Sequence, residues 1–147
     1  GITYPDGNFV DKNGNVLGTH NGIIKYTIGQ RKGLGIALGH PAYVISKDIE
    51  KNTVVLGGNN DLFNDRLRAY DFNWIIPAPA EEVGIECFAK TRYNMHEVEC
   101  TAYPDGDCVT VVFKNPVRAV TSGQAVVLYK DGYVLGGGTI IWPFINR

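Results

Sequence analysis

The chain has 147 residues and a mass of 16.1 kDa, 44% of it hydrophobic and 20% charged, which suits one ordinary globular domain or two small ones. Fourteen Lys+Arg stand against 15 Asp+Glu, so the formal charge of −1 carries no basic surplus that would announce a nucleic-acid binder. Cys87, Cys100 and Cys108 lack CxxC spacing, and His20, His40 and His96 lie away from ligand spacing with them, so neither a disulfide framework nor a zinc site is signalled.

No run approaches the length of a membrane span, and a soluble protein of a reducing compartment is expected. Eighteen glycines and seven prolines are dispersed between short apolar segments, the pattern of a β-rich chain with many turns. The first such segments are Asn8-Phe9-Val10 and Val16-Leu17, joined through Asp11-Lys12-Asn13-Gly14-Asn15, whose Asn-Gly pair is a tight-hairpin signal. From His20 to Arg31 a short apolar run between glycines predicts a helical turn or two, because Gly22, Gly29 and Gly33 disfavour a long helix. Residues 42–46 and 53–56 read as two strands joined by a polar loop.

The small, polar, turn-rich stretch Gly57-Gly58-Asn59-Asn60-Asp61 is the candidate boundary, giving domains over 1–62 and 63–147. Beyond it, strands are predicted near residues 68–75, 84–93, 97–103, 108–113, 125–129 and 133–142, at the spacing of a small barrel or sandwich. Turns fall at Pro77-Ala78-Pro79, Pro104-Asp105-Gly106 and Lys130-Asp131-Gly132. Strand alternation puts Ile85, Cys87 and Ala89 on one face, and Glu86, Phe88, Lys90 and Arg92 on the other.

The densest functional candidate is Tyr26-Thr27-Ile28-Gly29-Gln30-Arg31-Lys32-Gly33-Leu34-Gly35-Ile36. Its glycines permit close backbone approach, and Gln30, Arg31 and Lys32 supply donors suited to phosphate or ribose. It is neither a Walker A loop nor a G-x-G-x-x-G fingerprint, and on chemistry alone a solvated Gly-rich loop is the favoured reading. Arg92-Tyr93 joins a phosphate-pairing guanidinium to a ring able to stack on a base. The bland alternative is an exposed Arg beside a Tyr packed under the following turn. Gln124, after Thr121-Ser122-Gly123, could read a base or ribose edge, or be merely solvated.

Gly136-Gly137-Gly138 inside an apolar strand points to a bulge, a barrel corner or a closely packed neighbouring backbone. The cysteines read as small buried hydrophobes. Cys100 alone has a histidine near in sequence, His96, and the intervening Glu97 and Glu99 oppose a thiolate. No paired carboxylates, Ser/His/Asp set or metal cluster stands out, so these residues by themselves do not read as an enzyme.

The same residues carry a family resemblance. Gly14-Asn15-Val16-Leu17-Gly18-Thr19-His20-Asn21-Gly22, followed by the 26–36 segment, resembles the central-domain signature of tRNA-uridine 2-sulfurtransferases. Lys90-Thr91-Arg92-Tyr93, then Arg118-Ala119-Val120-Thr121-Ser122-Gly123-Gln124-Ala125-Val126, then Leu135-Gly136-Gly137-Gly138 follow in that family's order, over nearly the whole chain. The resemblance implies a mainly β protein: a small central β-domain, then a six-stranded antiparallel β-barrel like the second domain of elongation factor Tu. It implies a parent enzyme that activates the wobble uridine of tRNA by adenylation with ATP and Mg, then transfers sulfur as a persulfide. That chemistry belongs to an N-terminal domain whose two catalytic cysteines match none of Cys87, Cys100 or Cys108, so catalytic residues are expected to be none here.

What the resemblance carries onto these residues is tRNA contact, at Arg92, Tyr93 and Gln124, and more loosely at Gln30, Arg31 and Lys32. Thr19 stands where the family often has an acid. The expected partners are tRNA around its anticodon stem-loop and a persulfide sulfur-donor protein, with no metal, no membrane, a monomeric state and a bacterial cytoplasmic or mitochondrial setting. Two alternatives stay open: a free-standing β-barrel module that binds protein or peptide, and a thiol enzyme built on Cys100 and His96.

Overall fold

The computed structural model describes residues 4–142, so the outermost residues of the two expected domains lie outside it. The chain divides into two compact units, over residues 4–63 and 64–142.

In the first unit, β1 (Gly7–Val10), β2 (Val16–His20), β3 (Tyr43–Asp48) and β4 (Thr53–Gly57) form one sheet in the order β2-β1-β4-β3, with β1 and β4 parallel. The β1–β2 hairpin is built by Asp11, whose Oδ1 accepts the N–H groups of Asn13 and Asn15, both at 2.9 Å. Asn15 Nδ2 donates to the other oxygen at 3.0 Å, and Gly14 takes the positive φ of 87°. These bonds, the one from the Asn15 side chain first, hold the Asp11 carboxyl below its ordinary value.

The expected helical stretch shrinks to a 3-10 turn, Ile23–Lys25, and residues 26–42 run on as irregular chain. Phe9, Tyr26, Leu34, Ala42, Val44, Val54 and Leu56 make the buried core of this unit. His20 is buried with them, edge-on to Phe9 and to Tyr26 with both centroid distances 5.7 Å. Its Nδ1 accepts the Gly22 N–H at 3.1 Å, so Nε2 carries the proton donated to the Asn52 carbonyl at 2.8 Å. His20 is thus a satisfied core residue.

The Gly57–Asp61 stretch, the candidate boundary, is held by hydrogen bonds. Residues 59–62 form a second 3-10 turn, and Asp61 accepts the Gly58 N–H while pairing Lys12 at 2.9 Å. The Lys12 hydrogen bond comes first among the causes that hold the Asp61 carboxyl below its ordinary value of 3.8. A depressed carboxylate contributes stability that is present above the unfolded-state value and is lost as pH falls through the folded one. Acid titration of the chain, followed by circular dichroism, is therefore expected to show stability falling below about pH 3.8, with a shallower fall in Asp61→Asn.

The second unit is a closed barrel of six strands, β5 (Phe63–Trp74), β6 (Ile85–Lys90), β7 (Val98–Asp105), β8 (Cys108–Arg118), β9 (Ala125–Lys130) and β10 (Tyr133–Trp142). Their order around the barrel is β10-β5-β8-β7-β6-β9. Alternation fills the interior with Leu67, Ala69, Cys87, Ala89, Val109, Val111, Val126 and Leu128, each almost fully buried. Asp131 and Gly132, at φ 54° and 83°, make the primed turn between β9 and β10.

Several strand boundaries depart from the sequence expectation, and β7 for one runs on through Pro104 and Asp105, where a turn is expected. β5 begins several residues before Arg68, β8 runs past Phe113 through Pro116 to Arg118, and β6 stops at Lys90 rather than reaching Tyr93.

Gly136-Gly137-Gly138 accommodates a bulge and a close neighbour together. The β10 register slips on both sides of it, and a Cβ on Gly138 would lie 2.9 Å from both the Tyr70 carbonyl and the Phe72 ring.

Candidate nucleic-acid interface

Arg92 and Tyr93 sit in a turn over residues 91–95, not at the end of a strand. Met95 makes that turn: its Sδ accepts from the Thr91 N–H at 3.1 Å and the Thr91 hydroxyl at 3.3 Å. Thr91 is buried at 2% exposure, so the residues that follow are pushed outward. Tyr93 is 99% exposed, which rules out the alternative of a ring packed under the turn. Arg92 is exposed, with no ion pair or side-chain hydrogen bond among the described residues. Arg66, Arg68, Lys12 and Lys114 each have a carboxylate partner instead.

Gln124 arrives from the far side of the barrel seam. The loop before β9 is fixed by Gly123 N–H donating to the Ile140 carbonyl at 2.7 Å and Ile140 N–H donating to the Gln124 carbonyl at 2.8 Å. Gly123 adopts φ 90°, and the Gln124 side chain is left exposed. β6 and β9 pair antiparallel with Lys90 opposite Val127. That pairing carries the turn after β6 and the loop before β9 to the same end of the two strands.

The three residues therefore line one groove of about 600 Å³, together with Lys90, Thr91, Ala125, Val127 and Tyr129. No acidic residue lines it, so the groove is locally cationic on a chain of net charge −1. Lys90 and Tyr129 are the wall residues that sequence reasoning did not assign. Strand alternation does place Lys90 beside Arg92, but only the β6–β9 register brings Tyr129 to them.

Gln30, Arg31 and Lys32 belong to the first unit. The Gln30 amide is engaged at both ends: Oε1 accepts the Thr27 N–H at 3.0 Å, and Nε2 donates to the Lys32 carbonyl at 2.9 Å. Its backbone also bonds Val44. Gln30 thus shapes the loop, which presents Arg31 and Lys32 to solvent.

The thiols offer no second centre. Cys87 and Cys100 are register partners on β6 and β7, both buried, with sulfurs 3.7 Å apart. The hydrogen bond between them lowers Cys87 from the ordinary thiol value and raises Cys100 well above it, burial adding to the rise at Cys100. A base beside Cys100 would have to depress its pKa, and the Cys100 thiol meets the Cys87 sulfur rather than His96.

Residues 2–58 match the family model described as tRNA methyl transferase PRC-barrel domain, and residues 64–140 match that described as aminomethyltransferase beta-barrel domain. Among curated relatives, the tRNA-specific 2-thiouridylase MnmA of Lachnoclostridium phytofermentans is 53% identical over 136 residues, covering 92% of this chain and 38% of its own length. That of Acetivibrio thermocellus is 54% identical over 136 residues, covering 91% and 37%. The chain belongs to the tRNA-specific 2-thiouridylase family. A third 2-thiouridylase relative, from Heliobacterium modesticaldum, is 49% identical over 145 residues, covering 94% of this chain and 37% of its own length. The chain thus spans less than two-fifths of the 2-thiouridylases it matches.

The ATP implied by the sequence resemblance does not fit the described residues. Their only helical segments are 3-10 turns of three and four residues, and Gly29 to Gly35 lead into irregular chain. No helix N-terminus there could gather backbone N–H groups around a phosphate. No helix among the described residues is long and apolar enough to cross a membrane.

Proposed function

We propose that this chain is the tRNA-holding portion of an enzyme that 2-thiolates the wobble uridine of tRNA. The observation that carries the reading is the groove: Arg92, unpaired among the described residues, a fully exposed Tyr93 and an exposed Gln124 meet in one acid-free channel, although β6 and β9 bring them from distant sequence. A guanidinium pairs with phosphate, a tyrosine ring stacks on a base, and an amide hydrogen-bonds a ribose or base edge. Family membership directs that chemistry to tRNA, the substrate that the relatives' names carry.

In this reading the groove positions the anticodon arm. ATP-dependent adenylation and persulfide transfer run on parts of the enzyme outside these residues, in the cytoplasm and with sulfur from a donor protein. Arg31 and Lys32 add phosphate contacts from the first unit, and Gln30 positions them. Binding is expected to weaken as salt rises, because phosphate neutralisation releases counterions.

The kinetic test uses the full-length enzyme. Arg92→Ala is expected to raise KM for tRNA roughly tenfold with kcat little changed, since the contact is made equally in ground and transition states. An unchanged KM would remove Arg92 from the tRNA interface.

A further inference from the structure

The groove has more than cationic chemistry. Its floor is Val127 and Ala125, and its far wall is the half-buried ring of Tyr129. Lys90 lies diagonally across the β6–β9 pair from Tyr129, with Nζ 5.8 Å from the ring centroid. Lys90 has no carboxylate partner among the described residues, so its ammonium rests over the only π-face within the groove that packing holds in place.

Resting on the tRNA reading above, we infer that this groove seats a single unpaired nucleotide, with its base against Tyr129 and its phosphate on Lys90 and Arg92. A duplex offers a protein its phosphates and 2′-hydroxyls, and keeps its base faces stacked away. It would use the cations and leave the Tyr129 ring and the Val127 floor without a partner. An unstacked base has a face for that ring, and apolar contact for that floor. The volume of about 600 Å³ falls within the range of roughly 300–1,000 Å³ typical of pockets that enclose a small molecule. Entry of the base displaces the Lys90 ammonium from the ring, toward the phosphate that arrives with the base. Tyr93, open on all sides, stacks outside the seat on the neighbouring base.

Fluorescence anisotropy with the full 147-residue chain tests this, using a labelled short oligouridine, a blunt RNA duplex of equal length and unlabelled tRNA as competitor. The single strand is expected to bind roughly tenfold tighter than the duplex, and to compete with tRNA. Tyr129→Leu lowers single-strand affinity roughly tenfold without altering duplex affinity, and Tyr129→Phe, which keeps the ring, restores it. Lys90→Met reduces the slope of log affinity against log salt by about one, and serves as the second variant should Tyr129→Leu fold poorly. Equal affinity for the two RNAs, or unchanged single-strand binding by a folded Tyr129→Leu, overturns the inference. If tRNA binds and responds to Arg92→Ala while the oligouridine does not compete, the seat is wrong and the tRNA reading stands. If no RNA binds, both fall.

Discussion

Gly138→Val is expected to cost the barrel about 3 kcal/mol or more, enough to lower its thermal midpoint by ten degrees or more. The added Cβ alone would stand 2.9 Å from the Tyr70 carbonyl and 2.9 Å from the Phe72 ring, with the Phe72 Cα at 3.2 Å. Two of those three contacts are to backbone, which cannot swing aside as the end of a side chain can. Phe72 is itself wedged against Trp74, the ring centroids 4.7 Å apart, so the ring has no easy retreat. Gly136 meets the same strand: a Cβ there would lie 2.5 Å from the Asn73 carbonyl and 2.8 Å from Phe72. Because β10 and β5 are neighbours in a closed ring of strands, parting them opens the barrel as a whole. Gly106→Ala is the control: it has positive φ but open space around the Cβ position, so it should cost only about 1 kcal/mol. Thermal melts of the two variants check the ranking.

Arg92→Ala should weaken tRNA binding roughly tenfold to a hundredfold. A charge-assisted hydrogen bond contributes about 1.5–3 kcal/mol, and each 1.4 kcal/mol is a factor of about ten. Loss of one phosphate contact should also reduce the slope of log affinity against log salt by about one. The side chain is exposed and has no ion pair among the described residues, so no such partner is orphaned by its removal and folding stability should hold. That separation of binding from stability makes Arg92 a sharper probe than Thr91. Thr91 is buried and bonded to Met95, so changing it would disturb the turn itself.

Local signals made much of the fold legible. Gly14 and Asp131-Gly132 mark turns because their positive-φ backbone conformations are ones few other residues adopt. Alternation along β6 gives the right inward set, Cys87 and Ala89, because one face of a barrel strand is always buried. The early start of β5 was illegible: residues 63–66 are polar or exposed and show no buried face. The extension of β8 was hidden by Pro116, which argues against a strand interior.

The candidate site was legible as residues and illegible as geometry. Arg92-Tyr93 and Gln124 are conspicuous by chemistry, yet what brings them together is the pairing of β6 with β9, strands separated by more than thirty residues. The turn that lifts Arg92 depends on the Met95 sulfur, and no turn signal in the sequence announces such an acceptor. Gln30 shows the converse: its chemistry suited a ligand, and its amide is spent on the Thr27 N–H and the Lys32 carbonyl.

The β6–β9 groove is proposed to grip tRNA. Titrating tRNA against the chain and its Arg92→Ala, Gln124→Ala double variant tests it most directly, at two salt concentrations and with matched thermal melts. The expected result is salt-sensitive binding by the wild-type chain and a loss of at least roughly tenfold in the variant, with melting unchanged. Equal affinity of the two folded proteins for tRNA would contradict it.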